Sequence, residues 1–121
     1  MTRLTSATAF FAVLLLLGCS RLDQTAQHSG SQRSAPELME QYGCPTCHVI
    51  PNVPGAVGKV GPSLRSLAQR SYLAGSIPNT PENLVQWIMH PQHFRPGTAM
   101  PEMGVSSSDA QRIATFLNEN R

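Results

Sequence analysis

"YGCPTCHVIPNVPG", Tyr42 to Gly55, places two cysteines two residues apart with a histidine directly after the second. Three chemistries use such a cluster: a redox disulfide, a zinc ion and a covalent haem. Cys44, Cys47 and His48 fit each of them in isolation, so the surrounding chain has to decide.

The Cys-x-x-Cys-His spacing reads as c-type haem attachment. Two thiols add to the two vinyl groups of haem. Two intervening residues set the cysteines on one turn, and the adjacent histidine turns its imidazole toward the iron as proximal ligand. A redox disulfide of the CxxC kind ordinarily opens a helix in a fold with a βαβ unit, and no strand is readable here. Zinc needs more donors, and His90 and His93 would have to join the cysteines. The gap from Cys47 to His90 is long for a finger, and Pro91 separates the two histidines.

The 121 residues suffice for one small domain. Arg3 precedes an apolar run, "ATAFFAVLLLLG" (Ala7 to Gly18). This run is shorter than the roughly 20 residues of a comfortable bilayer span. Residues 1–18 therefore read as an export signal rather than as part of the fold. A retained membrane anchor is the rival. "LLGC" (Leu16 to Cys19) resembles a bacterial lipobox, which implies cleavage before Cys19 and a lipid on its sulfur. The chain holds 3 cysteines, and an odd count in an exported protein calls for an explanation. A lipid on Cys19 leaves Cys44 and Cys47 as a pair. The formal net charge is +2, with no block of like charge, so nothing supports nucleic-acid binding.

Residues 19–34 are polar and rich in Ser and Gln, which predicts a flexible tether reaching roughly 20 Å. The folded domain is expected over residues 35–121, all-α, with about four short helices. Ser34 with Glu37 forms a capping box for a helix from Ala35 to Tyr42, with Pro36 in its first turn. A second, short helix is expected over Ser63 to Ser71. Thr80 and Pro81 open a third, which Pro91 stops. Its Leu84, Val85, Trp87, Ile88 and Met89 predict burial on more than one side. Ser107 or Ser108 caps the last helix, Asp109 favours its positive end, and Ile113, Phe116 and Leu117 form a stripe. Pro- and Gly-rich loops fill the intervals. So small a domain with 10 prolines in the chain has a thin core, which a large prosthetic group would complete.

An iron held by His48 has a sixth position to fill. Met100 sits in a loop between Pro96 and Pro101, whose rings restrict the backbone. Met103 is its close rival. Met39 and Met89 lie in helices and read as core packing. His90 or His93 would give bis-histidine ligation and a lower potential than methionine does.

From about Ala35 onward the chain resembles a class I cytochrome c. It is most similar to the small cytochrome c domains attached to, or acting with, bacterial haem–copper terminal oxidases. "CPTCH", "GPSL", Arg70, "AGSIPNTPENLVQWIMHPQ" and "PGTAMP" carry the resemblance. It implies the small class I fold around one covalent haem c. Cys44 and Cys47 would be the thioether attachments, with His48 and Met100 as the iron ligands. Pro62 would accept a hydrogen bond from the second imidazole nitrogen through its carbonyl, which fixes the ring. Arg70 would pair with a propionate and Trp87 would pack beside the haem. The first and last helices would cross, Leu38, Met39 and Tyr42 meeting Ile113, Phe116 and Leu117. The usual glycine at that crossing is not evident.

The expected function is one-electron transfer by a monomeric carrier rather than an enzyme. The carrier would be an exported bacterial lipoprotein, held on the membrane by lipid on Cys19 and facing the periplasm or cell exterior. It would run between a quinol-oxidising complex and a terminal oxidase. The tether raises the effective concentration near membrane partners. Two alternatives stand beside this. One is a gas or redox sensor or small haem enzyme in which Met100 leaves the iron. The other is a fixed cytochrome subunit of a dehydrogenase or oxidase complex.

Overall fold

Ser34 opens the first helix from an extended conformation. Its N–H donates to Glu37 Oε2 at 2.7 Å and its hydroxyl donates to the same oxygen at 2.9 Å. In the computed structural model, which describes residues 32–120, this helix is α1, Ala35–Gln41. The signal segment 1–18, Cys19 and the tether as far as residue 31 lie outside the described residues. Arg33–Arg121 forms one compact unit.

Tyr42 closes α1, and Gly43 follows in the left-handed region at φ 74°. That conformation suits the residue after a helix and costs glycine little. The chain then enters α2, Cys44–Cys47, a single turn closed by His48 N–H donating to Cys44 O at 3.1 Å.

Residues 49–64 make a loop folded back on that turn. Val49 bridges Val57, Gly61 N–H donates to Cys47 O at 2.8 Å, and Leu64 N–H donates to Val49 O at 2.8 Å. The helix expected over Ser63 to Ser71 is only a 3₁₀ turn, Leu67–Gln69. Ser66 has a positive φ of 52°, and the Leu64 amide is committed to Val49, so a regular helix cannot continue through both. A short antiparallel pair follows, β1 (Tyr72–Leu73) with β2 (Ile77–Pro78). Two residues per strand are too few for any alternation to register in sequence.

Thr80 caps α3, Pro81–Met89, by accepting from Asn83 N–H at 3.2 Å. Leu84 and Ile88 are its buried positions; Val85, Trp87 and Met89 are half-buried. Pro91 ends α3 and also begins a new turn, α4 (Pro91–Phe94), because its fixed φ suits a first helical position as well as a stop. The last helix, α5 (Ser107–Glu119), is capped by Ser106, one residue before the expected Ser107 or Ser108. Ser106 Oγ accepts from Asp109 N–H at 3.2 Å.

The described residues thus hold five α-helical segments and one small hairpin rather than about four helices alone. α3 packs along α5, and α1 packs on α5. Leu38, Met39, Leu84, Ala110, Ile113 and Leu117 are buried in one apolar cluster, with Tyr42, Trp87 and Phe116 against it. Tyr42 O–H donates to Asp109 Oδ2 at 2.8 Å, tying α1 to α5 from outside that cluster. No helix among the described residues is long and apolar enough to cross a membrane.

Candidate functional site

Two glycines three residues apart let the 58–64 segment lie directly on the Cys44–His48 turn. A Cβ at Gly58 would fall 2.5 Å from the Cys47 carbonyl carbon, and one at Gly61 would fall 2.3 Å from His48 Cε1. Such separations exclude a side chain at both positions. The backbone therefore covers the back of the imidazole.

That approach brings the Pro62 carbonyl to 2.7 Å from His48 Nδ1. A carbonyl oxygen only accepts, so Nδ1 carries the proton and donates. In the neutral ring Nε2 is then the nitrogen with a lone pair, which is the form a metal ligand takes.

His48 opens on a cavity of about 500 Å³, within the roughly 300–1,000 Å³ of typical ligand pockets. Cys44 and Cys47 lie on its wall as free thiols. They sit at i and i+3 of one helical turn, which puts them on the same face. Leu64, Leu67, Leu73, Leu84, Ile113 and Leu117 supply apolar wall. Burial pushes the Cys44 thiol pKa up, and the neighbouring Cys47 adds to the rise. Cores normally close to crystal-like density, so an apolar space this large in so small a domain is a binding site in character.

Pro62, Arg70, Trp87 and Met100 all line this one cavity. The fold thereby brings together every expected site residue of the described chain. Met103 lines it as well, close to Gly43, whose Cβ would stand 3.7 Å from Met103 Cε. Met39 also reaches the wall, from α1. Met89 does not line the cavity, nor do His90 and His93. His90 instead faces Glu102 at 3.7 Å, and His93 meets Phe94 edge-on at 5.6 Å. Among the described residues no three His, Cys, Asp or Glu side chains group as a metal site. The zinc set of two cysteines and two histidines is therefore not assembled.

Arg70 donates to the carbonyls of Ser63 and Arg65. Arg95, which sequence reasoning did not single out, also lines the cavity and donates to Ala74 O. Among the described residues the ion pairs are His90–Glu102 and Arg112–Asp109, so neither cavity arginine has a carboxylate partner there.

A second missed residue is Gln92. Its Nε2 donates to Thr98 O and to Met100 O, each at 2.8 Å, and its Oε1 accepts from Gly97 N–H at 3.0 Å. No local signal marks it, because its partners lie five to eight residues away in a loop.

The chain is 30% identical over 83 residues to cytochrome c oxidase subunit 2 of Alkalihalophilus pseudofirmus, a stretch covering 67% of this chain and 23% of that protein. It is 25% identical over 95 residues to cytochrome c oxidase subunit 2 of Bacillus subtilis, covering 77% of this chain and 27% of that protein. The chain spans about a quarter of the length of these curated relatives. No family model matches it, and no solved structure gives a significant match.

Proposed function

We propose that residues 35–121 form a class I cytochrome c domain that transfers single electrons as part of, or beside, a terminal oxidase. The observation that carries this reading is one apolar cavity whose wall holds Cys44, Cys47, His48 and Met100 together. The donor set fits haem c: two thiols on one turn, an imidazole with its Nδ1 proton committed to Pro62, and a thioether on the wall.

A haem bound there would supply an iron that cycles between ferrous and ferric states. The chain's own residues do the rest. Cys44 and Cys47 would fix the group covalently. The Pro62 carbonyl holds the His48 ring in one orientation, with Nε2 left as the ligating nitrogen. Met100 would fill the sixth position, which excludes oxygen and peroxide and favours a higher potential than histidine would. Leu64, Leu67, Leu84 and Trp87 line the cavity and would keep water from a bound haem, and Arg70 would meet a propionate. Val60, 72% exposed beside the cavity, gives the rim an apolar edge for a redox partner. Redox encounters use small, weak interfaces of this kind.

Similarity to two oxidase subunits favours a cytochrome subunit of an oxidase complex over a freely exchanging shuttle. Lipid on Cys19 would serve either arrangement by keeping the domain at the membrane.

Metal and haem analysis of the purified full-length protein tests the reading. One iron per chain, with haem that resists acid–acetone extraction, is expected. Copper in place of iron, or haem that extracts freely, would contradict it. Co-purification with oxidase subunits from detergent-solubilised membranes would support the fixed subunit; recovery of the protein free of them would favour the shuttle.

A further inference from the structure

Residues 97–100 have no regular secondary structure, yet the candidate distal ligand, Met100, has to be presented at one point of the cavity wall. Gln92 supplies what the loop lacks. Both N–H bonds of its carboxamide and its one oxygen are spent on three residues of that loop: Gly97, Thr98 and Met100 itself. The base of the clamp is fixed, because Pro91 is fully buried at the start of α4. The Gln92 backbone N–H donates to Glu102 Oε1 at 3.0 Å, which secures the chain on the far side of Met100 too. The loop's own backbone adds one bond here, Thr98 N–H to Arg95 O at 3.0 Å.

We propose that Gln92 is the positioning residue for Met100. Its carboxamide fixes the main chain on which Met100 is carried, and so selects Met100 over Met103 as the iron's sixth ligand and keeps that position closed. This rests on the reading of Met100 as a ligand. Gln92 acts through the backbone of Met100 and does not itself touch the cofactor.

Glutamate at this position keeps the size and the acceptor for Gly97 but, ionised, cannot donate to the Thr98 and Met100 carbonyls. Gln92→Glu therefore separates clamping from simple space-filling, and Gln92→Ala removes both. His93→Gln, on the same turn but outside the cavity, is the control. The readouts are the red ferric iron–thioether charge-transfer band and the rate of carbon monoxide binding to the ferrous protein.

Both Gln92 variants are expected to keep covalent haem while the band weakens. Carbon monoxide binding should quicken roughly tenfold or more, since two lost hydrogen bonds together amount to about one decade in an equilibrium. His93→Gln should match the parent protein. If Gln92→Ala fails to fold, Gln92→Glu decides alone. The proposal is overturned if Gln92→Glu keeps the parental band and binding rate while Met100→Ala loses the band. If the parent has no covalent haem, or Met100→Ala leaves the band intact, the underlying ligand reading fails and takes this proposal with it.

Discussion

His48 Nδ1 lies 2.7 Å from the carbonyl oxygen of Pro62, and this contact exists because Gly61 has no side chain. A Cβ at Gly61 would overlap His48 Cε1 at 2.3 Å, so either the ring or the loop has to move. Gly61→Ala is expected to cost about 1–3 kcal/mol, the usual range for forcing an extra carbon into a packed site. It should also lower the yield of covalently loaded protein, because the imidazole leaves its hydrogen bond. Denaturant unfolding and haem content per chain check both. Unchanged values would mean that the loop yields freely and does not hold the ring.

The Cys44 thiol is half-buried, and burial raises its pKa above the ordinary 9.0. Less thiolate is present at any given pH, so in haem-free protein Cys44 should alkylate slowly at pH 8 and speed up only above about pH 9. The sign for stability follows from the same shift. Folding favours the neutral thiol, so its contribution is complete below the unfolded pKa and is lost as pH climbs toward the folded one. Mass spectrometry of alkylated protein across pH reads this directly. If haem is attached to both cysteines as proposed, neither sulfur should react.

Tyr42 O–H donates to Asp109 Oδ2 at 2.8 Å and is the largest cause lowering the Asp109 pKa, ahead of the Ser106 hydroxyl and Arg112. A lowered carboxyl pKa contributes stability above its unfolded value near 3.8, and that stability is lost as pH falls through the folded value. Tyr42→Phe should therefore lower the thermal midpoint at pH 7. The gap to the parent protein should narrow only below the unfolded value near 3.8, as pH falls through the lowered folded value and Asp109 protonates. A gap that stays constant with pH would show that the loss comes from packing rather than from the hydrogen bond.

Asn79 Nδ2 donates to Leu67 O at 2.8 Å and to Arg70 O at 2.9 Å, closing the 3₁₀ turn onto the hairpin that precedes α3. Asn79→Ala leaves two half-buried carbonyls without that donor. It is expected to destabilise by about 1–3 kcal/mol. Because the Arg70 backbone is held by this bond, the same variant should shift the reduction potential, which Asn79→Asp would also do by losing the donor. Equilibrium unfolding and potentiometry separate the two effects.

Local signals in the sequence were legible and remote ones were not. The Ser34–Glu37 and Thr80–Pro81 helix starts depend on residues within one turn, and both are present as read. The start of α5 is displaced to Ser106 because three consecutive serines offer equal caps. A helix was expected over Ser63 to Ser71, but the Leu64 amide bonds across the loop to Val49, a partner no window reveals. Pro91 was legible as a stop and not as a start. Cys44, Cys47 and His48 are adjacent in sequence, so their grouping was plain. Met100 was a candidate from its place between Pro96 and Pro101, whereas the approach of Arg70 and Trp87 to the same cavity was expected only from the family resemblance. Gln92 and Arg95 escaped both, since their roles depend on carbonyls brought near by the fold.

The most direct test is a visible absorption spectrum of the purified full-length protein, oxidised and reduced, with and without carbon monoxide. A low-spin c-type spectrum that carbon monoxide leaves unchanged is predicted, becoming responsive in Met100→Ala and not in Met103→Leu. Rapid carbon monoxide binding to the parent protein would mean an open or labile iron and would contradict the electron-transfer reading. Absence of any haem spectrum would contradict the cofactor itself.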